Sequence, residues 1–328
     1  MASVLALVES DTHVCCRYRV LAFRPAFQAA GHTLTVRAIP RDVIARLRLY
    51  AAARRFDVVV LQRKLLSLPE VVILRRFVRR LLFDFDDAVW LRDSYSGKGF
   101  HHGKRERRFR AIIKRCDGVI AGNRFLAEKA AQFNRNVCVI PTCVDPTAYP
   151  LAEHTTPAGA ARLVWVGSSS TLQGLERNFD MLNAVGRAIP AARLAVVCDR
   201  FPTFEHLPVD AIPWDGATEA NELATSDIGI GWVPDDPWSR GKCGLKLLQY
   251  MAAGLAVVAN PVGVQADIVT HCETGLLATT TEEWVEAVRT LANDPHLRRR
   301  LGRAGRERVE REYSVSAGGR RWVEVLAG

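Results

Sequence analysis

With 328 residues, 48 % of them apolar and 24 % charged, the chain has room for two domains and none of the bias of a disordered or fibrous protein. Its eight cysteines form no C-x-x-C or other paired metal-ligand spacing, which points to reduced thiols rather than a disulfide scaffold or a zinc site. The formal charge of +10 is uneven: residues 1–150 carry 27 Lys and Arg against 13 Asp and Glu, or +14, leaving −4 for the rest.

The chain opens with an apolar run to Val8 that lacks a basic lead, which predicts a first strand rather than a signal peptide. No apolar run approaches the roughly 18 residues of a membrane-spanning helix. With reduced thiols, this predicts a cytoplasmic protein. Helical spacing predicts helices over 18–30, 43–54 and 71–79, and strands over 33–38, 57–61 and 81–84. An acidic turn, Asp84-Phe85-Asp86-Asp87, closes the last of these strands. A loop over 92–104, a basic helix to residue 115 and strands over 118–121 and 137–140 complete an alternating βα half. Residues 145–161 are polar with three prolines and predict a linker, so the domains are expected at 1–150 and 151–328.

The second half repeats the alternation. A strand over 162–167 leads through a turn over 168–174 to a helix over 175–188, with strands over 193–198, 211–214 and 227–232. The stretch 239–263 then organises the domain. Gly241 and Gly244 sit in a loop that brings Lys242 and Lys246 to an apolar helix over 245–253. Gly254 ends it, a buried strand follows over 255–259, and the next loop carries Gly263 and Val264. Helix-start amides beside two lysines form an anion cradle. The last helix, over 315–326, is expected to pack back on the first domain. The fold class is α/β, two doubly wound Rossmann-like domains with a cleft at the strands' carboxyl ends.

Several segments together resemble retaining nucleotide-sugar glycosyltransferases of family 4, whose two-Rossmann fold is called GT-B. In the second half these are residues 162–167, 227–232, 244–263 and 273–277. In the first they are Lys114-Arg115-Cys116-Asp117-Gly118-Val119-Ile120-Ala121-Gly122-Asn123 and Val139-Ile140-Pro141-Thr142-Cys143-Val144-Asp145. The resemblance covers residues 110–328 well and the first 110 in outline. It implies transfer of a sugar from a nucleotide-diphosphate donor with retention, without an obligatory metal or cofactor. The donor would sit on the second domain and the acceptor on the first.

The chain departs from that pattern where the chemistry is expected. Gly241 and Gln249 stand at the two glutamates of the family's E-x7-E motif. Gly167-Ser168-Ser169-Ser170 replaces its Arg and Lys after the first strand of the donor domain. The resemblance therefore assigns donor binding to Gly167, Ser168, Ser169, Ser170, Lys242, Cys243, Gly244, Lys246, Gln249, Gly263 and Val264. Gln249 would meet ribose through its carbonyl oxygen. Asp86 and Asp87, with Arg17 or Arg19 facing them, would orient the acceptor or take its proton. No metal ligands are assigned, and no nucleic-acid partner is expected. The basic first domain suits an anionic or lipid-linked acceptor and peripheral contact with a membrane. The lost glutamates leave a second reading open, a glycosyltransferase-like protein that binds nucleotide, glycan or a partner without turnover.

Overall fold

In the computed structural model, which describes residues 1–328, the chain forms two α/β units, each around its own six-stranded parallel sheet. The first unit comprises Met1–Cys143, Asp236–Cys243 and Val315–Gly328, and the second Val144–Asp235 and Gly244–Ser314. Strands β1 (Ser3–Val8), β2 (Thr33–Ala38), β3 (Val58–Gln62), β4 (Arg80–Phe85), β5 (Gly118–Ala121) and β6 (Val137–Val139) lie in the order β2-β1-β3-β4-β5-β6. The central strands read as nearly unbroken Val, Leu and Phe because helices cover both faces of a parallel sheet. The helix Val315–Ala327 belongs to this unit: Trp322 packs on Phe23 and Phe27, and Arg80 donates to the carbonyls of Val325 (2.6 Å) and Leu326 (3.1 Å).

In the second unit β7 (Ala160–Val166), β8 (Ala191–Cys198), β9 (Val209–Pro213), β10 (Ile228–Gly231), β11 (Ala256–Ala259) and β12 (Leu276–Leu277) lie in the order β12-β11-β10-β7-β8-β9. Counted from β7, this is the 3-2-1-4-5-6 order of dinucleotide-binding sheets. Its order reverses between β7 and β10, where such sheets take their ligands. A core around Leu163, Trp165, Leu182, Val196 and Trp284 fills the space between this sheet and its helices.

The predicted elements are found with two differences. The helix expected over 18–30 is two short ones, Val14–Arg19 and Arg24–Ala29, joined by a 3-10 turn, because Pro25 cannot donate into a continuing helix. The turn expected over 168–174 is itself a helix, Ser169–Glu176, so the helix expected over 175–188 begins only at Phe179. Ser168 caps it in a capping box with Thr171, a start signal that the run of small hydroxyl residues disguised as a loop.

Candidate functional site

Each unit carries polar chemistry at the carboxyl edge of its sheet. In the first, β4 runs into Asp86 and Asp87. Their counter-charge is Arg63, the residue after β3, whose Nη1 lies 2.6 Å from Asp87 Oδ2 and 3.1 Å from Asp86 Oδ1. Arg63 has φ 59°, a left-handed conformation that costs a side-chain-bearing residue about 1–2 kcal/mol. Its amide is pinned by a 2.7 Å bond to the Asp84 carbonyl, which aims the guanidinium at the acids. Lys242 approaches Asp87 from the other side, Nζ to Oδ1 3.2 Å, and stacks over Trp238 at 4.9 Å. Burial opposes the charge on Asp87, but Lys242 and Arg63 outweigh it and hold the carboxyl below its usual range. The result is an ionised, well-oriented carboxylate with its less buried neighbour Asp86 beside it.

Three sequence-based assignments change here. Arg19 does not face these acids as a free cation. It is fully buried, ion-paired with Asp84 through two N–H groups and bonded to the Ile140 carbonyl at 2.6 Å. Burial pushes the Asp84 carboxyl up to about 6, with Arg19 opposing the rise. This pair is part of the core, and Arg19 cannot address an acceptor. Cys243 is a packed thiol rather than a donor ligand, with Sγ 3.1 Å from the Asp86 carbonyl and its acidity suppressed by burial. Lys242 belongs to the first unit, where it is engaged by Asp87 rather than held free for a donor phosphate. Asn123 locks this loop, donating to the Lys242 carbonyl at 2.9 Å, and Asp236 caps it by accepting from the Ser239 amide at 2.8 Å. A Cβ on Gly241 would stand 2.8 Å from the backbone nitrogen of Ala88, so no side chain fits where the family resemblance places its first glutamate.

In the second unit the order-reversal point holds Lys246. Its Nζ rests over the Trp165 ring at 4.0 Å and donates to Thr171 Oγ1 at 3.2 Å. A Cβ on Gly167 would lie 2.8 Å from that nitrogen and 2.4 Å from the indole, so glycine is what leaves Lys246 its place. Gly244, at φ 67°, caps the helix Leu245–Ala252 that presents the lysine. Gly263 and Val264 follow β11 beside it, and no carbonyl of the protein takes either amide hydrogen. Behind them Gln265 and Asn260 brace the loop, Gln265 donating to the Asn260 carbonyl at 2.9 Å and Asn260 accepting from the Val233 amide at 3.0 Å.

The serine turn does not offer the open anion site expected of it. The amide and hydroxyl of Ser169 both go to Asp199, at 2.6 and 2.8 Å, and those bonds hold the Asp199 carboxyl below its usual range. Ser168 and Ser170 share a hydrogen bond at 2.8 Å. A carboxylate thus already occupies part of this helix start, where it is stabilised as any anion would be.

Gln249 is buried, and its amide nitrogen donates to Glu219 Oε1 at 2.6 Å and to Tyr149 Oη at 3.3 Å. Glu219 also accepts from the Trp214 indole. A carboxyl at position 249 would therefore face a second carboxylate, whereas an amide completes it. Gln249→Glu is expected to lower stability by about 1–3 kcal/mol near neutral pH. The loss should shrink on acidification, because paired carboxylates share a proton and their folded-state pKa rises. Thermal melts at about pH 8 and about pH 5 test this, with Glu219→Gln in the same chain expected to restore most of the loss.

Sequence reasoning missed Arg63, Asp199 and Glu219. Arg63 follows a strand with no turn signal, and the other two lie in segments that show only strand ends and helix starts. Their partners are 24, 30 and 30 residues away in the chain.

Residues 237–308 match the family model "Glycosyl transferases group 1". Among curated proteins the chain is 31 % identical over 147 residues to sulfoquinovosyl transferase SQD2 of Arabidopsis thaliana, covering 42 % of this chain and 28 % of that protein. It is 28 % identical over 238 residues to alpha-maltose-1-phosphate synthase of Mycobacterium tuberculosis, covering 60 % of each. The chain therefore spans less than two thirds of the length of these relatives. Among solved structures, sucrose-phosphate synthase from Thermosynechococcus elongatus superposes with TM-score 0.74 at 17 % identity, covering 100 % of this chain and 98 % of that one. Anabaena HepE in complex with UDP and glucose superposes with TM-score 0.72 at 14 % identity, covering 100 % of both. The chain has the fold of these proteins, two Rossmann-like units, and within it residues 237–308 carry the pattern of glycosyl transferases group 1.

Proposed function

We propose that the protein is a cytoplasmic glycosyltransferase that moves a sugar from a nucleoside-diphosphate sugar to an acceptor, with retention of configuration and without a required metal. The observation that carries this reading is Lys246, a cation presented at the order-reversal point of a dinucleotide-type sheet, beside a glycine that keeps its place open. As the glycosidic bond breaks, the sugar gains oxocarbenium character and the departing diphosphate gathers negative charge. A fixed ammonium group and the amides of Gly263 and Val264 stabilise that charge without reorganising. The group 1 pattern over residues 237–308 supports the reading, as does the likeness to a structure with UDP and glucose bound. Asp87 and Asp86, held by Arg63, are the acceptor-side groups in this reading: a carboxylate at the acceptor hydroxyl can take its proton.

A second reading, binding without turnover, is favoured by Gly241 packed on Ala88 and by Gln249 tied to Glu219. One experiment divides the two. The protein is screened by thermal shift against UDP-, GDP-, ADP- and TDP-sugars, and release of free nucleotide is then measured with and without a panel of acceptors. Turnover with a donor that also raises the melting temperature supports transfer. A shift with no release in any mixture supports binding alone, and the absence of any shift overturns both.

A further inference from the structure

The first unit has an apolar face that its own core does not use. The helix Val43–Ala52 follows β2, the edge strand of the sheet, and leaves Val43, Ile44 and Leu47 exposed at 64 %, 61 % and 41 %. At 100° per residue these three fall within one arc of the helix, while Tyr50 and Ala53 point into the core. Exposed aliphatic residues scattered singly need no explanation, but three on one short arc leave a contiguous apolar face in water.

The charge around that face is one-sided. Residues 37–56 hold six arginines and a single acid, Asp42, which is spent on capping the helix through the Ala45 amide at 2.7 Å. Arg46 is tied to Glu70 on the neighbouring helix. The other five, Arg37, Arg41, Arg48, Arg54 and Arg55, are exposed, and the ion pairs of this region use Arg46, Arg75 and Arg79 instead. An apolar arc in a segment with five exposed arginines outside its ion pairs fits a surface that is hydrocarbon beneath and anionic above. The face lies on a helix whose nearby charge is almost all positive, which suits an anionic bilayer better than a folded partner. No helix of the chain is long and apolar enough to cross a membrane, so the contact would be a surface one.

We propose that the Val43–Ala52 helix docks the protein on anionic phospholipid bilayers, with Val43, Ile44 and Leu47 entering the headgroup boundary and Arg41, Arg48, Arg54 and Arg55 holding lipid phosphates. The helix starts at the carboxyl edge of its sheet, the edge that also carries Asp86 and Asp87. Docking there brings the acceptor-side acids toward the membrane. The proposal does not depend on the donor assignment and stands if no nucleotide sugar binds.

The test is flotation of the full chain with vesicles of phosphatidylcholine alone and of phosphatidylcholine doped with phosphatidylglycerol. The protein is expected to float with the doped vesicles only, and to detach as salt is raised, since screening shortens the reach of the arginines to about 10 Å at 0.1 M. The triple variant Val43→Ser, Ile44→Ser, Leu47→Ser should lose affinity about tenfold or more. Arg48→Gln, Arg54→Gln, Arg55→Gln should lose about a hundredfold. Both sets lie on the surface, and unchanged melting temperatures confirm that the fold is intact. Failure to float with anionic vesicles overturns the proposal, as does equal flotation of all three proteins. Self-association in light scattering that the serine variant abolishes would assign the face to a second copy of the chain instead.

Discussion

Replacing Arg19 with methionine is expected to cost about 3–5 kcal/mol of stability, because it leaves Asp84 buried without its partner. The substitution keeps a side chain of similar length, so the loss is electrostatic more than steric. Asp84 is fully buried, and Arg19 supplies it with two N–H groups while giving a third to the Ile140 carbonyl, which would also lose its donor. For a chain with units of this size, each kcal/mol lowers the melting temperature by about 2–4 °C. The sign of the pH response follows from the direction of the shift. The Asp84 carboxyl is already raised to about 6 from 3.8, and without Arg19 it rises further. A carboxyl raised on folding favours the folded state at low pH and disfavours it once ionised. The penalty of the variant relative to the parent should therefore be largest above the variant's raised pKa and shrink as the pH falls toward about 6, the parent's own Asp84 value, below which both carry a protonated Asp84. The double variant Arg19→Met, Asp84→Leu removes both charges and should regain most of the stability. A single variant that melts like the parent would show that the pair carries no such weight. It would also reopen Arg19 as a functional group.

Lys246→Ala is expected to weaken binding of a nucleoside diphosphate about 10- to 100-fold, the worth of one charge-assisted hydrogen bond of about 1.5–3 kcal/mol. Affinity for the matching nucleoside, which lacks phosphate, should not change. That contrast separates a phosphate role from general damage to the second unit. The ammonium group rests over Trp165 and donates to Thr171, so a ligand phosphate would meet a cation already held in place. Lys242→Ala should behave differently. Lys242 is spent on Asp87, and its loss should alter acceptor use and raise the Asp87 pKa while leaving diphosphate affinity close to that of the parent. Calorimetric titration of diphosphate and nucleoside against both variants distinguishes the two lysines. Equal loss in both, or none in Lys246→Ala, removes the basis for the donor site.

The fold was legible because its signals are local and repeated. Apolar strands such as Val58–Gln62 and Ala256–Ala259, alternating with helices and closed by glycines, leave few architectures other than covered parallel sheets. The order and spacing of segments over 110–328 pointed to the two-Rossmann arrangement, and the neighbouring solved structures show that fold. The serine turn was misplaced for an equally local reason. Ser168 to Thr171 has the composition of a loop, and only the bonds from Ser168 to the third helical residue make it a cap.

What the sequence could not decide was which charge meets which. Lys242 and Lys246 lie four residues apart, a spacing that on one helix would put them on a shared face. In the structure the helix begins only at Leu245, so Lys242 turns to Asp87 in one unit and Lys246 to Trp165 and Thr171 in the other. Arg19 looked like a cation for the acidic turn until burial joined it to Asp84, and Arg63, chosen by no pattern, took the role through a left-handed backbone. Pairings of this kind join residues 23 to 155 positions apart, and no local spacing rule reaches that far. By itself the sequence determined the alternation of strands and helices, the glycines of the 239–263 stretch and the excess of positive charge in the first half. Only the tertiary structure decided which of those charges are spent on partners, as Lys242 is on Asp87, and which, like Arg48, Arg54 and Arg55, stay exposed.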